Sequence, residues 1–330
     1  MGSSEIRVEI FRSGVLQGNA LGDPAERPVY VYLPPSYAES SELYPVAFLL
    51  AGFAGSGASF LDFEAWDENL HQRMDRLVAA GRVRPMLVIL PDATTRFGGS
   101  QYINSTATGR YQDYLLELVD WADHTFRTRP QREARAIAGK SSGGFGALSM
   151  VMDHPEIFGL VADHSGDKYF EYCYLPELPR FQRAAEQVLD LDRLLLDPRG
   201  TRPHDQAFRD VMELAALSAC YSPDPRLPRR FEFPVDLETG ALRPEVWEQW
   251  RQHDPVVRLG DREAALRGLR LIYLDAGQRD EFFLNVGMRL FHHRLEALGI
   301  PHVYDPFDGG HFGNDYRFDN SLEAISRAIL

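Results

Sequence analysis

Cysteine is almost missing from this chain. Only Cys173 and Cys220 occur in 330 residues, and neither belongs to a CxxC pair or to a Cys/His cluster with zinc spacing. A disulfide framework and a structural zinc site are therefore excluded as organising principles. Positive charge is scarce as well: 35 Lys and Arg stand against 48 Asp and Glu, a formal charge of −13. That balance repels phosphate backbones and anionic membrane surfaces, so neither nucleic acid nor a membrane is an expected partner, and the acidity serves solubility. No stretch approaches the roughly 18 uninterrupted apolar residues of a membrane span. The start, MGSSEIRVEIF, has no basic segment followed by an apolar run, and the chain is expected to be cytoplasmic or a mature form whose signal has been removed. What remains is ordinary for a folded protein: 44% hydrophobic and 25% charged residues, enough for one large domain over 1–330 with a substantial core.

Strand and helix patterns alternate along most of the chain. IRVEIF (6–11) and VYVYL (29–33) read as strands that alternate in polarity, fit for antiparallel pairing at a sheet edge and for a homodimer contact there. VAFLL (46–50) and MLVIL (86–90) are apolar throughout, as central strands covered on both faces are. Between them Trp66, Leu70, Met74, Leu77 and Val78 share a helical face. A helix from about Asp113 to Phe126 precedes RAIA (135–138), and another follows from Gly143 to about Asp153. Strands at 160–165 and 269–275, a helix from about Asn285 to Leu298, a short strand near 302–304 and a helix from about Asp319 to Ile329 complete the pattern. This is the signature of a mostly parallel sheet with helices on both faces.

Glycine runs out in one region. Residues 168–255 hold 10 of the 21 prolines but 2 of the 27 glycines, and the strand–helix rhythm stops. RAAEQVLDLDRLLL (183–196) and DQAFRDVMELAALSACY (205–221) have helical apolar spacing, so a helical insertion or lid is expected here.

The sharpest motif is Gly139-Lys140-Ser141-Ser142-Gly143, a G-x-S-x-G placed between the strand RAIA and the helix GGFGALSMVM. That context is the strand-to-helix turn that presents a nucleophilic serine, and small residues two before and two after keep its crowded backbone free of collisions. A phosphate-binding loop is the competing reading of Gly139-Lys140-Ser141, but the first glycine it requires is replaced by Ala134.

A serine hydroxyl needs an imidazole to take its proton and a carboxylate to orient that imidazole. Of ten histidines, His311 is preferred because Asp308-Gly309-Gly310-His311 forms a glycine-rich loop after the last strand. His164, at the end of the strand after the turn, is the alternative. His292 and His293 read as a solvated mid-helix pair, His154 as a helix end, and His253 as part of the insertion. For the acid, LRLIYLDAG leads into Gly277-Gln278-Arg279-Asp280-Glu281; Asp280 is the choice, with Asp275 and Glu281 as alternatives. An oxyanion formed at the serine needs backbone N–H donors. Ser142 supplies one, and Phe53, in the glycine-rich loop LLAGFAGSG (49–57), supplies the second.

VYVYLPPSY, LLAGFAGSG, LVILPDA, IAGKSSGGFGALSM, HPEIFG, LDAGQRDEF and GGHFGNDY occur in that order over about residues 29–315. Together they resemble the esterase family that includes esterase D (S-formylglutathione hydrolase), bacterial enterochelin esterases, feruloyl esterases and the antigen 85 mycolyltransferases. The resemblance implies an α/β-hydrolase fold, a Ser141–His311–Asp280 triad with Phe53 and Ser142 as oxyanion donors, and hydrolysis of a small or aromatic ester through an acyl-enzyme. It implies no metal or organic cofactor. An acyltransferase, an S-formylglutathione hydrolase and a non-catalytic binding protein are the competing outcomes. Ala51 precedes Gly52 where His-Gly is common, a departure that bears on loop packing more than on chemistry because the donor is a backbone group; two others, Lys140 beside the serine and the long 168–255 insertion, keep substrate specificity from being carried over. Tyr169, Phe170, Tyr172 and Tyr174 of the insertion suit an aromatic or hydrophobic leaving group, or else pack the insertion onto the body.

Overall fold

The computed structural model describes residues 2–200 and 204–330, so three residues of the 168–255 segment lie outside it. Strands β1 (Glu5–Arg12), β2 (Glu26–Leu33), β3 (Val46–Leu50) and β4 (Leu87–Pro91) come first, followed by a two-residue hairpin, β5 (Asn104–Ser105) and β6 (Gly109–Arg110). Then come β7 (Arg135–Lys140), β8 (Leu160–His164), β9 (Leu271–Asp275) and β10 (Val303–Tyr304). Apart from the hairpin they form one eight-stranded sheet in the order β1-β2-β4-β3-β7-β8-β9-β10. β1 and β2 pair antiparallel, as does β2 with β4, and every pairing from β4 through β10 is parallel.

The all-apolar strands are explained by their two-sided burial. In β3, Val46, Phe48 and Leu50 face a core with helix α2 (Tyr111–Thr125) and helix α3 (Ser142–Asp153), while Ala47 and Leu49 face a second core. Helices α1 (Leu70–Ala79) and α12 (Phe318–Ala328) pack on that second side. β4 divides the same way, Leu87 and Ile89 against Val88 and Leu90. Helix α11 (Leu284–Ala297) completes the first layer through Met288, Phe291 and Leu295.

Between β8 and β9 lie α4 (Phe170–Cys173), α5 (Leu178–Gln187), α6 (Leu191–Leu196), α7 (Gln206–Tyr221), α8 (Pro244–Arg251), α9 (Pro255–Arg258) and α10 (Glu263–Arg267). The helices from α4 to α8 share a third core, with Phe181, Leu217, Tyr221 and Trp250 buried in it. It is continuous with the body through Phe145 of α3 and Leu284 of α11.

Two helix boundaries differ from those read in the sequence. The first helix begins at Leu70, not near Trp66, which is 97% exposed. Asn69 sets the start by a capping box: its side chain accepts from the Gln72 N–H, and the Gln72 side chain accepts from the Asn69 N–H. The 183–196 stretch is two helices, because Asp190 is extended and its carboxylate caps α6 by accepting from the Arg193 N–H.

Candidate active site

The turn from β7 into α3 is held by sterics that the motif anticipates. Ser141 sits at φ 58°, ψ −125°, a conformation L-residues rarely adopt. A Cβ on Gly139 would come within 2.4 Å of the Gly143 backbone, and one on Gly143 within 2.1 Å of the Leu50 carbonyl oxygen. Gly144 is equally constrained, lying where a Cβ would meet Asp163 Oδ1 at 2.6 Å. The Ser141 N–H donates to the His164 carbonyl at 2.9 Å, tying the turn to β8. Among the described residues the Ser141 hydroxyl has no hydrogen-bond partner, which leaves it to whatever enters the cavity it lines.

His311 and Asp280 come together from two loops at the C-terminal edge of the sheet. His311 Nδ1 lies 2.9 Å from Asp280 Oδ2, and both side chains are buried. Asp280 is fixed in turn by the N–H groups of Phe282 and Leu284, which donate to its Oδ1 at 3.0 and 3.4 Å. Glu281, an alternative for the acid, does something else: its Oε2 accepts from the His311 backbone N–H at 2.6 Å. The two loops also exchange backbone bonds, Gln278 N–H to Phe307 O at 2.8 Å and Arg279 N–H to Gly309 O at 2.9 Å. Gly277 permits the approach, since a Cβ there would come within 2.5 Å of the Gly309 and Gly310 carbonyls. The result is a His311 ring held at its backbone and at Nδ1 while Nε2 is left free of protein partners among the described residues.

Phe53 follows β3 in a loop that turns through Ala54 at φ 60°. Its N–H and that of Ser142, the first residue of α3, have no partner among the described residues. An unsatisfied N–H pair at a helix N-terminus is suited to negative charge. Phe53, Ser141 and Ser142 line an inner pocket of about 50 Å³ with Asp167, Tyr174 and Glu213. An outer cleft of about 320 Å³ shares Phe53, Ser141, Glu213 and Phe282 with it and carries His311 and the rings of Phe60, Phe312 and Phe318. Lys140 stands at this cleft, ion-paired with Asp315 at 3.0 Å.

The other sequence candidates go elsewhere. His164 and Asp275 pair with each other: Nδ1 to Asp275 Oδ1 is 2.7 Å, and Nε2 to Ser321 Oγ is 2.8 Å, all buried. His292 is not a solvated helix residue; its Nδ1 lies 2.7 Å from His302 Nε2 and its ring stacks on Tyr304 at 4.1 Å. His293 is exposed beside Glu296, and His154 ends α3 beside Glu156. His253 is half-buried with its ring 5.2 Å from that of Tyr221, and desolvation pushes its pKa down to about 4. The aromatics credited to the insertion also divide. Phe170 is wholly buried and Tyr169 stacks on Tyr172, so of the four only Tyr174 lines the pocket.

Three elements of the site carried no readable signal in the sequence. Glu281 reads as a second carboxylate beside Asp280, and its partner is a backbone group 30 residues away. Lys168 and Asp163, both fully buried, form a 2.8 Å ion pair behind the serine turn. Glu213, in α7, reaches both cavities and lines the inner one with Leu217, one turn on, and nothing in the sequence sets it apart from the other carboxylates of the segment.

A mostly parallel sheet flanked by helices, with a serine held at positive φ between a central strand and its following helix, defines an α/β-hydrolase fold. The model of the Putative esterase family matches residues 19–329, and the chain belongs to that family. Esterase Rv1288 of Mycobacterium tuberculosis is 31% identical over 312 residues, covering 90% of this chain and 55% of that protein. The chain thus spans about half the length of that relative. An endo-1,4-beta-xylanase/feruloyl esterase of Xylanibacter ruminicola is 29% identical over 166 residues, 48% of this chain and 21% of that one. Among solved structures, a ferulic acid esterase superposes with a TM-score of 0.65 over the whole of both chains at 20% identity. An S-formylglutathione hydrolase of Staphylococcus aureus does so with a TM-score of 0.60 at 15% identity, covering 98% of this chain and 100% of that one. No helix among the described residues is long and apolar enough to cross a membrane.

Proposed function

We propose that this chain is a serine carboxylic ester hydrolase that works through an acyl-enzyme. The observation that carries the reading is the strained Ser141, which shares a cavity with a His311 whose other nitrogen is committed to Asp280. Ser141 Oγ attacks the ester carbonyl carbon as His311 Nε2 takes its proton, and Asp280 stabilises the imidazolium. The oxyanion receives the N–H groups of Phe53 and Ser142. When the C–O bond to the alcohol breaks, His311 returns the proton to the leaving oxygen. Water, deprotonated by His311, then cleaves the acyl–serine bond and restores the hydroxyl. No step calls on a metal or organic cofactor.

The inner pocket favours a small acyl group over a feruloyl one, and the aromatic walls of the outer cleft favour a hydrophobic or aromatic alcohol. The helices from α4 to α8 act as a lid, since they supply Cys173, Tyr174, Phe181, Glu213 and Leu217 to the inner pocket. Two buried free thiols, Cys173 and Cys220, fit a reducing compartment such as the cytoplasm. A homodimer through the edge strand β1 fits the exposed Val8 and Ile10, and size-exclusion chromatography of a V8K/I10K variant tests it.

The deciding experiment is hydrolysis of p-nitrophenyl esters from acetyl to decanoyl by the wild type and by Ser141→Ala. Cleavage of the short chains by the wild type alone is expected. No cleavage of any ester without an added acceptor alcohol would turn the assignment to an acyltransferase, and none with one would turn it to a binding protein.

A further inference from the structure

The two cavities that meet at Ser141 divide the substrate between them. In the acyl transfer proposed above, on which this inference rests, the carbonyl oxygen faces the Phe53 and Ser142 N–H groups, and the leaving oxygen collects a proton from His311. Ser142 lines the inner pocket and not the cleft, His311 lines the cleft and not the pocket, and Phe53 borders both. The acyl chain therefore enters the inner pocket and the alcohol departs through the cleft. At about 50 Å³ the pocket exceeds the roughly 10–15 Å³ that one water requires and still admits only a short chain.

Its lining is unusual for a short acyl chain. Three carboxylates, Asp167, Glu177 and Glu213, stand among mostly apolar side chains, and among the described residues no basic side chain lines the pocket. Two of the three are already engaged. Asp167 Oδ2 accepts from Gln101 Nε2 and Tyr174 Oη, each at 2.9 Å, and Glu177 is paired with Arg180 at 2.6 Å. Glu213 has the weakest hold: its partner is the same Arg180, at 3.5 Å, and Arg180 also lies 3.5 Å from Asp210. One guanidinium is thus spread over three carboxylates, and a fourth, Asp167, lies behind them. Of the three lining carboxylates, Glu213 alone also borders the outer cleft, next to the path the acyl group takes from Ser141.

We propose that Glu213 is a specificity-determining residue that selects short acyl chains ending in a cationic ammonium group. An ammonium entering the pocket finds a carboxylate with spare hydrogen-bonding capacity and a surplus of negative charge behind it, whereas a methyl group of the same size leaves that half-buried carboxylate with Arg180, at 3.5 Å, as its one cation among the described residues. Burial pushes the Glu213 carboxyl up to about 7; Arg180 opposes this, while Asp167, Glu177 and Asp210 reinforce it. The preference for the cation accordingly grows as Glu213 ionises between pH 6 and pH 8.

The test compares p-nitrophenyl 3-aminopropanoate with p-nitrophenyl butanoate, which differ by an ammonium in place of a methyl. The primary ammonium stays protonated over this range, and because both esters use His311, its titration divides out of their kcat/KM ratio. In the wild type at pH 8 the ratio is expected to favour the aminopropanoate by about tenfold or more, and to fall at pH 6; Glu213→Gln lowers it by about tenfold. The wild-type pH dependence stands even if the variant does not fold. A ratio at or below one at pH 8, a ratio flat with pH, or one unmoved in a folded Glu213→Gln overturns the proposal. Cleavage of the butanoate alone removes the proposal and spares the hydrolase reading; cleavage of neither removes both.

Discussion

Two Ser–His–Asp sets are built into this chain. In one, His311 has Asp280 on Nδ1 at 2.9 Å and shares a cavity with Ser141; in the other, His164 has Asp275 on Nδ1 at 2.7 Å and Ser321 on Nε2 at 2.8 Å. By hydrogen-bond geometry alone the second is the more complete relay. It nonetheless lacks what acyl transfer requires. Ser321 is fully buried within α12, the adjoining cavity is about 10 Å³, and Arg317 occupies the other oxygen of Asp275 at 3.1 Å. Ser141 has the features that Ser321 lacks: a strained exit from the sheet, free N–H donors beside it and room for a substrate. A hydrogen-bonded chain of three residue types is therefore no indication of a nucleophile; the backbone around the serine and the space in front of it are.

The largest separation between the two sets is expected at the serines themselves. Ser141→Ala should lower kcat for p-nitrophenyl acetate at least about a thousandfold, while the urea midpoint moves little, because the hydroxyl has no partner to lose among the described residues. Ser141→Gly should in addition stabilise the fold by about 1 kcal/mol by removing a side chain from positive φ. Turnover by a homogeneous Ser141→Ala preparation would dissolve the distinction drawn here. Next in size is Asp280→Asn, for which a loss of about a thousandfold in kcat is expected, since an amide cannot stabilise the imidazolium. Asn retains an oxygen for the Phe282 and Leu284 N–H groups, so its thermal midpoint should stay near that of the wild type.

The same contrast marks how far the sequence reaches. The mostly parallel sheet followed from apolar strands alternating with helices, because two-sided burial dictates residue type in the central strands; the order of the strands did not. Ser141 was legible because the turn forbids a Cβ at positions 139 and 143, a local constraint written locally. His311 and Asp280 were candidates from chain order, glycine content and the family resemblance, and the two loops bring them to 2.9 Å. What stayed hidden depends on residues far apart in sequence: that His164 is consumed by Ser321, 157 positions away, and that Glu281 grips the backbone of His311. The start of α1 was misread for a local reason, since Trp66 continues the apolar period while Asn69 provides the stronger start signal.

Glu281 sharpens the comparison at intermediate size. It holds the His311 N–H at 2.6 Å, and the backbone around Gly310 fits so closely that a Cβ there would meet Glu281 Oε1 at 2.5 Å. Glu281→Ala leaves the triad atoms in place but frees the loop that aims the ring. A fall in kcat of about tenfold is expected, with KM little changed, because the interaction positions His311 and touches no substrate. Glu281→Gln, which still offers an oxygen to the N–H, should recover most of the loss; equal activity in Glu281→Ala and the wild type would show that the loop needs no tether.

The smallest effect on turnover is expected in the sealed set, and it is the one that tests the comparison from the other side. Ser321→Ala removes the hydrogen bond to His164 Nε2 and a weaker one, at 3.3 Å, to the Phe318 carbonyl. His164 then keeps Asp275 on one nitrogen and loses its partner on the other. The imidazole is buried, so the cost is that of one unmet hydrogen bond, about 1–3 kcal/mol of unfolding free energy. Turnover per folded molecule should stay within about twofold of the wild type, because Ser321 faces neither cavity at Ser141. A stability loss without a kinetic one assigns the His164 network to anchoring α12 on β8 and β9. A kinetic loss at full stability would instead mean that the buried relay reaches Ser141 through β8, whose His164 carbonyl holds the Ser141 N–H, and the two sets would then be one.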